Sequence, residues 1–169
     1  MEERLEALIA ECRRQEESCR YTSTTLFEWL KSLRRWRVAF VVVPIVLGTV
    51  ATWPLLAGQG GYEWVTGTCA LVAGLIPAVY KALNFDVSLD ALSKAAHLFK
   101  TLQDKFRQAA NITALSGLDR LEAEFPGLMA RLDAAREASV TPPERFFKRA
   151  QRKISAGHYD FQVDIRPTR

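Results

Sequence analysis

The chain has 169 residues, a quarter of them charged, with a net charge of +4 and a mean hydropathy of −0.05. Those averages exclude a chain that is apolar throughout, and three cysteines without any C-x-x-C spacing exclude a disulfide scaffold and a cysteine-based metal site. They also hide a sharp division, because the 43 residues from Val38 to Tyr80 contain a single charge, Glu63, between two segments rich in charges of both signs.

Residues 1–37 hold 8 basic and 7 acidic groups. Leu5, Ile9, Cys12, Cys19, Leu26, Leu30 and Leu33 recur at helical spacing, which predicts an amphipathic helix. Glu16 and Ser23 interrupt that stripe, so its middle is not expected to lie in a dry core. No Gly or Pro occurs before Pro44, so this helix could continue unbroken into the apolar stretch. Cys12 and Cys19, two turns apart on one face, read as small core residues.

Val38–Ala57 is twenty uncharged residues, about 30 Å of helix at 1.5 Å per residue, which matches a hydrocarbon core. Gln59-Gly60-Gly61 predicts a turn, and Trp64–Tyr80 a second span. Trp36, Tyr62, Trp64 and Tyr80 stand near the ends, where amphipathic rings favour the membrane interface. A cleaved secretory signal is not expected, because a long charged segment comes first. A buried soluble hairpin is the competing reading, although both helices would then be apolar all round. Lys31, Arg34, Arg35 and Arg37 precede the first span and Lys81 follows the second, whereas the intervening turn has no base. The positive-inside bias then predicts both termini in the cytoplasm and Gln59–Glu63 outside.

Within the spans, Gly67, Ala70, Gly74 and Ala78 form a small-residue stripe, and Gly48 with Thr52 repeats its spacing, as in close helix packing. Thr49, Thr52, Thr66 and Thr68 could face a lumen or bond back to their own helix. Pro44, Pro54 and Pro77 are expected to kink the spans. Glu63 would repeat in an oligomer as a carboxylate ring at the outer mouth, or it is an ordinary interfacial acid.

Asn84 and Asp86–Ser88 predict a turn, with Asp86 or Ser88 as a helix cap. A long amphipathic pattern follows through Leu89, Leu92, Ala96, Phe99, Leu102, Phe106, Ala109 and Thr113. It resumes through Leu118, Leu121, Phe125, Leu128 and Leu132, with breaks or kinks expected at Ser116-Gly117 and Pro126-Gly127. Thr141-Pro142-Pro143-Glu144 predicts a capped helix start. The helix it opens should end near Gly157, with Phe147, Ala150 and Ile154 on one face and Arg145, Lys148, Arg149, Arg152 and Lys153 crowding the rest. That basic face could meet anionic lipid, a nucleotide or an acidic partner, or it is a solvated bundle surface. The tail from His158 reads as a short strand or extended segment.

No Walker loop, dinucleotide fingerprint or nucleophile elbow is present, and His97 and His158 have no evident catalytic partners. An enzyme is therefore not expected, and no cofactor, metal or nucleic acid is called for. The predicted fold class is an all-α integral membrane protein. It divides into an N-terminal helix (1–37), a transmembrane hairpin (38–83, with spans 38–57 and 64–80), a cytoplasmic helical region (84–140) and a basic C-terminal helix and tail (141–169).

The run Cys12–Ser23 (CRRQEESCRYTS) leads through Leu26-Phe27-Glu28-Trp29-Leu30 into the two spans. Arg145–Ala150 (RFFKRA) and Lys153–Phe161 (KISAGHYDF) follow near the end. Taken with that layout, the chain resembles, over essentially its whole length, the SLATT family, two-transmembrane domains associated with SMODS and SLOG modules in bacteria. The resemblance implies a pore-forming or membrane-perturbing effector of bacterial conflict and anti-phage systems. It places the chain in the bacterial inner membrane, linked to a nucleotide second messenger or a nucleotide-sensing protein. It carries over no catalytic residue. The expected function is thus a homo-oligomeric gated pore, with Glu63, Thr49, Thr52 and Thr66 as pore candidates. The alternatives are a non-conducting membrane anchor that docks a nucleotide-signalling partner, and a receptor holding a nucleotide on the basic C-terminal helix.

Overall fold

The computed structural model describes residues 2–56, 61, 63–82 and 85–159, and the side chains of all of these except 54–56 and 85–87. Every regular element among the described residues is helical: α1 (Glu2–Leu56), α2 (Glu63–Ala82), α3 (Phe85–Asn111), a 3₁₀ turn (Thr113–Ser116), α4 (Leu118–Glu137) and α5 (Glu144–Ser155). Two of them, α1 and α2, are long and apolar enough to cross a membrane. The expected turn at Gln59-Gly60, Tyr62, Asn84 of the second expected turn and the tail from Asp160 lie outside the described residues.

The chain separates into two compact units. One comprises the residues up to Leu30 together with Ala91 onward, and the other runs from Lys31 to Asp90. In the first, α1 makes direct contacts with three other helices. Arg136 of α4 donates to Gln15 at 3.1 Å, Phe27 meets His97 of α3 edge-on at 5.2 Å, and Trp29 stacks on Phe146 of α5 at 6.2 Å. The predicted stripes supply its core: Cys12, Cys19, Leu26 and Leu30 from α1, Leu92, Ala96, Phe99, Leu102, Phe106 and Ala109 from α3, and Leu121, Leu128 and Leu132 from α4 are buried. Helices with one apolar stripe must cover it with one another, and this unit does so.

The core departs from the sequence reading at one level of α1. Ser23 is only 2% exposed, and Thr24, Thr25 and Glu28 beside it are buried too. The polar residue expected to keep this level out of a dry core is itself shielded. The backbone makes that possible, because Ser23 donates to the Arg20 carbonyl at 3.1 Å and Thr25 to the Tyr21 carbonyl at 2.7 Å. Internal bonds of this kind remove most of the desolvation cost of a buried hydroxyl.

Two helix boundaries also differ from expectation. Asp86 and Ser88 lie inside α3 rather than capping it. At the other predicted boundary, α5 begins at Glu144 with Pro143 as its N-cap, and no side chain caps it. Thr141 therefore sits two residues ahead of the N-cap position, and the fixed φ of two consecutive prolines holds the chain extended ahead of the helix. Of the two expected interruptions, only one breaks the chain. Gly117 takes φ +102°, a conformation that L side chains resist, and separates the 3₁₀ turn from α4. By contrast α4 runs through Pro126 and Gly127, where buried Leu121, Leu128 and Leu132 anchor the helix on both sides.

In the second unit, the apolar part of α1 pairs with α2. Phe40 meets Tyr80 at 5.8 Å, and Trp36, Ala39, Phe40 and Val43 line a shallow apolar groove of about 190 Å³ with Ile76. Phe40 lies 16 residues before the end of α1 and Tyr80 17 residues after the start of α2, so their contact requires the two helices to fold back on each other and run antiparallel.

Candidate functional site

The hairpin is the part of the molecule whose chemistry is least ordinary for a protein surface. Within the most apolar window of α1 only 6% of residues are buried, and within that of α2 none are. Val41, Ile45, Val50, Trp53, Trp64, Leu71 and Leu75 are all open, Trp64 being 73% exposed. A helix that serves as the core of a soluble domain would be covered by its own chain, and these two are not.

The small residues placed on this surface by sequence remain uncovered. A Cβ built on Gly48, Gly67 or Gly74 meets nothing within 4 Å, and Ala70 and Ala78 are exposed. The stripe therefore does not serve packing within the protomer. Three of the hydroxyls are occupied by their own helix: Thr49 donates to the Ile45 carbonyl at 2.9 Å, Thr52 to that of Thr49 at 2.9 Å, and Thr68 to that of Trp64 at 2.7 Å. Of the two readings open for each, the back-bonded one applies to these three in the protomer. Thr66 is half-buried.

Glu63 is the first residue of α2 and is exposed, while Lys81 stands in its last turn. An acid at the positive end of a helix and a base at the negative end both interact favourably with the aligned peptide dipoles. That gives Glu63 a structural role even without an oligomer. Both helices retain regular assignments through Pro44 and Pro77.

The basic helix α5 does not present five equivalent cations. Phe146 and Ala150 are buried, whereas Phe147, the aromatic expected inside, is 44% exposed. Registers one residue apart differ by about 100° around a helix. Stacking on Trp29 turns Phe146 inward and leaves Phe147 at the edge, 6.2 Å from Tyr21. The guanidinium groups of Arg145 and Arg149 lie 4.8 Å and 5.8 Å from the Phe146 ring centre, close enough for cation–π attraction. Lys148 pairs with Glu144 at 2.7 Å in the open, and Arg152 donates to the Lys148 carbonyl at 3.4 Å. Lys153 is different: its ammonium meets Glu28 at 2.7 Å, and that carboxylate side chain is only 4% exposed. Sequence reading grouped Lys153 with the lipid- or nucleotide-facing cations and missed Glu28. A Glu among Thr and Phe on a helix that also carries apolar residues was the available signal.

The thiols of Cys12 and Cys19 are both pushed up to about 11. Burial is the main cause for each, reinforced at Cys12 by Glu11 and Glu124 and opposed at Cys19 by Arg136. Neither is a poised nucleophile at neutral pH. Among the described residues no three His, Cys, Asp or Glu side chains gather into a metal-binding group. No family model matches the chain, and no curated protein or solved structure matches it either.

Proposed function

We propose that the protein is a membrane effector of the SLATT type that assembles with copies of itself into a gated pore in the bacterial inner membrane, with both termini in the cytoplasm. The observation that carries this reading is the uncovered hairpin. Its two antiparallel apolar helices bury almost nothing within the protomer, and water is a poor solvent for that surface. Lipid covers the outward face, and neighbouring copies cover the small-residue face of Gly67, Ala70, Gly74 and Ala78, where backbones can approach closely. Two helices enclose no lumen, so conduction requires several protomers. Glu63, exposed at the start of α2, then contributes one carboxylate per subunit at the outer mouth.

Reconstitution of the purified chain into planar bilayers tests this directly. Discrete conductance steps together with a multi-subunit mass in detergent are expected, and a monomeric mass with silent bilayers overturns the reading. The Gly74→Leu chain should lose mass and conductance together. The Glu63→Gln pore should shift its reversal potential under a salt gradient, and an unmoved potential removes Glu63 from the mouth.

A further inference from the structure

The first unit contains a cavity that the membrane reading leaves without a task. It measures about 490 Å³ and lies among the N-terminal part of α1, α3 and the turn after α5. That volume is within the range of small-molecule sites.

Three features of the lining favour one class of ligand. The first is donors on nearly buried residues that have no partner among the described residues. Thr24 is 4% exposed and Gln103 6%, and both line the cavity. Gln103 accepts from the Lys100 ammonium at 3.1 Å through its Oε1. Among the described residues its amide nitrogen donates to nothing, and the Thr24 hydroxyl neither donates nor accepts. No sealed side-chain polar atom lacks a partner among the described residues, so both atoms keep an accessible face, and the cavity is the space their residues line. Donors that belong to nearly buried residues and have no protein partner are open to a ligand oxygen entering the cavity.

The second feature is charge. Arg20 and Lys100 line the cavity with His97 and His158, and among the described residues no acid does. Asp104, just outside, pairs with Lys100 at 3.3 Å and offsets part of its charge. The third feature is flat rings. Phe27, set edge-on to His97, and Tyr159 supply aromatic surface beside the polar donors.

We propose that this cavity binds a small organic phosphate carrying a flat ring. The tetrahedral anion takes donors from Thr24, Gln103, Arg20 and Lys100, which approach from two different helices. A planar carboxylate, with two oxygens, would satisfy fewer of them. The ring lies against Phe27 and Tyr159. The site is separate from the basic face of α5, and it does not rest on the hairpin conducting ions.

Calorimetric titration of the full chain in detergent, with the detergent blank subtracted, tests the assignment with three probes. Phenyl phosphate carries both halves of the ligand, inorganic phosphate only the anion and benzyl alcohol only the ring. Phenyl phosphate should bind at least about tenfold more tightly than either half, because hydrogen-bond and stacking contributions combine in one molecule. Thr24→Val, close in shape, should weaken it about fivefold, the loss of one neutral hydrogen bond. Lys100→Gln, on a partly exposed side chain, should weaken it about tenfold. Phe27→Leu should erase the preference over inorganic phosphate without changing the affinity for phosphate itself. Arg145→Gln combined with Arg152→Gln on α5 should leave binding unchanged. Equal binding of phenyl phosphate and either half overturns the proposal, as does affinity governed by the α5 variant, or no binding by a chain whose helical circular dichroism is intact.

Discussion

In the unit built from the chain up to Leu30 and from Ala91 onward, Leu26, Phe106 and Leu121 have no exposed surface. In the unit from Lys31 to Asp90, Val41, Trp53, Trp64 and Leu71 are more than half exposed. The residue types are similar and only their surroundings differ. In the first unit, each helix alternates apolar and charged positions, so packing the stripes together leaves a charged exterior for water. In the second, the helices are apolar around their circumference, and any pairing of two leaves most of that surface outside. The first unit therefore carries its own solvent boundary, whereas the second needs an apolar phase or further copies.

The largest test of that contrast is a pair of truncations. Phe106→Ala should destabilise the first unit by about 3–5 kcal/mol through the lost burial and the cavity left behind. Leu75→Ala, on the open face of α2, should change denaturant unfolding in detergent by no more than about 0.5 kcal/mol. Equal shifts would break the comparison.

A second test uses the thiols. With both raised to about 11 from the ordinary 9.0, Cys12 and Cys19 should hold about a hundredfold less thiolate at pH 8 than free cysteine and alkylate correspondingly slowly until the chain is denatured. The sign of the linked stability follows. The folded state holds these protons more tightly than the unfolded state, so the stabilisation is complete below pH 9 and is lost as pH rises to about 11. The double variant Cys12→Ala, Cys19→Ala should lose less stability over that window, and an unaltered alkaline slope would show that other groups govern it.

A smaller effect separates two lysines of α5. Lys153→Met removes the cross-helix ion pair that ties α5 to the shielded Glu28 carboxylate and should cost about 1–2 kcal/mol, less than for a fully buried pair because the lysine is partly exposed. Faster proteolysis at α5 should accompany it. Lys148→Met breaks only an exposed pair with Glu144 and should change stability by about 0.5 kcal/mol at most. Matching losses would mean that Glu28 finds another partner when Lys153 is gone.

Much of this architecture follows from local pattern. The unbroken α1 needs only the lack of Gly and Pro before Pro44, and the hairpin needs only the apolar run with its charged flanks. The stripes of α3 and α4 were readable for the same reason, since helical spacing repeats within a few residues whatever lies opposite. The site residues were readable as types but not as roles. Thr49 and Thr68 each had two acceptable partners in sequence, and only the helix geometry chose their own carbonyls.

What sequence alone determined is therefore helical type, the apolar hairpin and the stripe positions, because each depends on the covalent order of neighbours. Tertiary structure decided that Phe146 rather than Phe147 turns inward, that Ser23, Thr24 and Glu28 are buried, and that Gly117 rather than Pro126 interrupts the chain. It also brought Thr24, Gln103 and Tyr159 around one cavity. Those outcomes depend on which surface faces each residue across 70 or more positions of chain, and local periodicity carries no information about that partner.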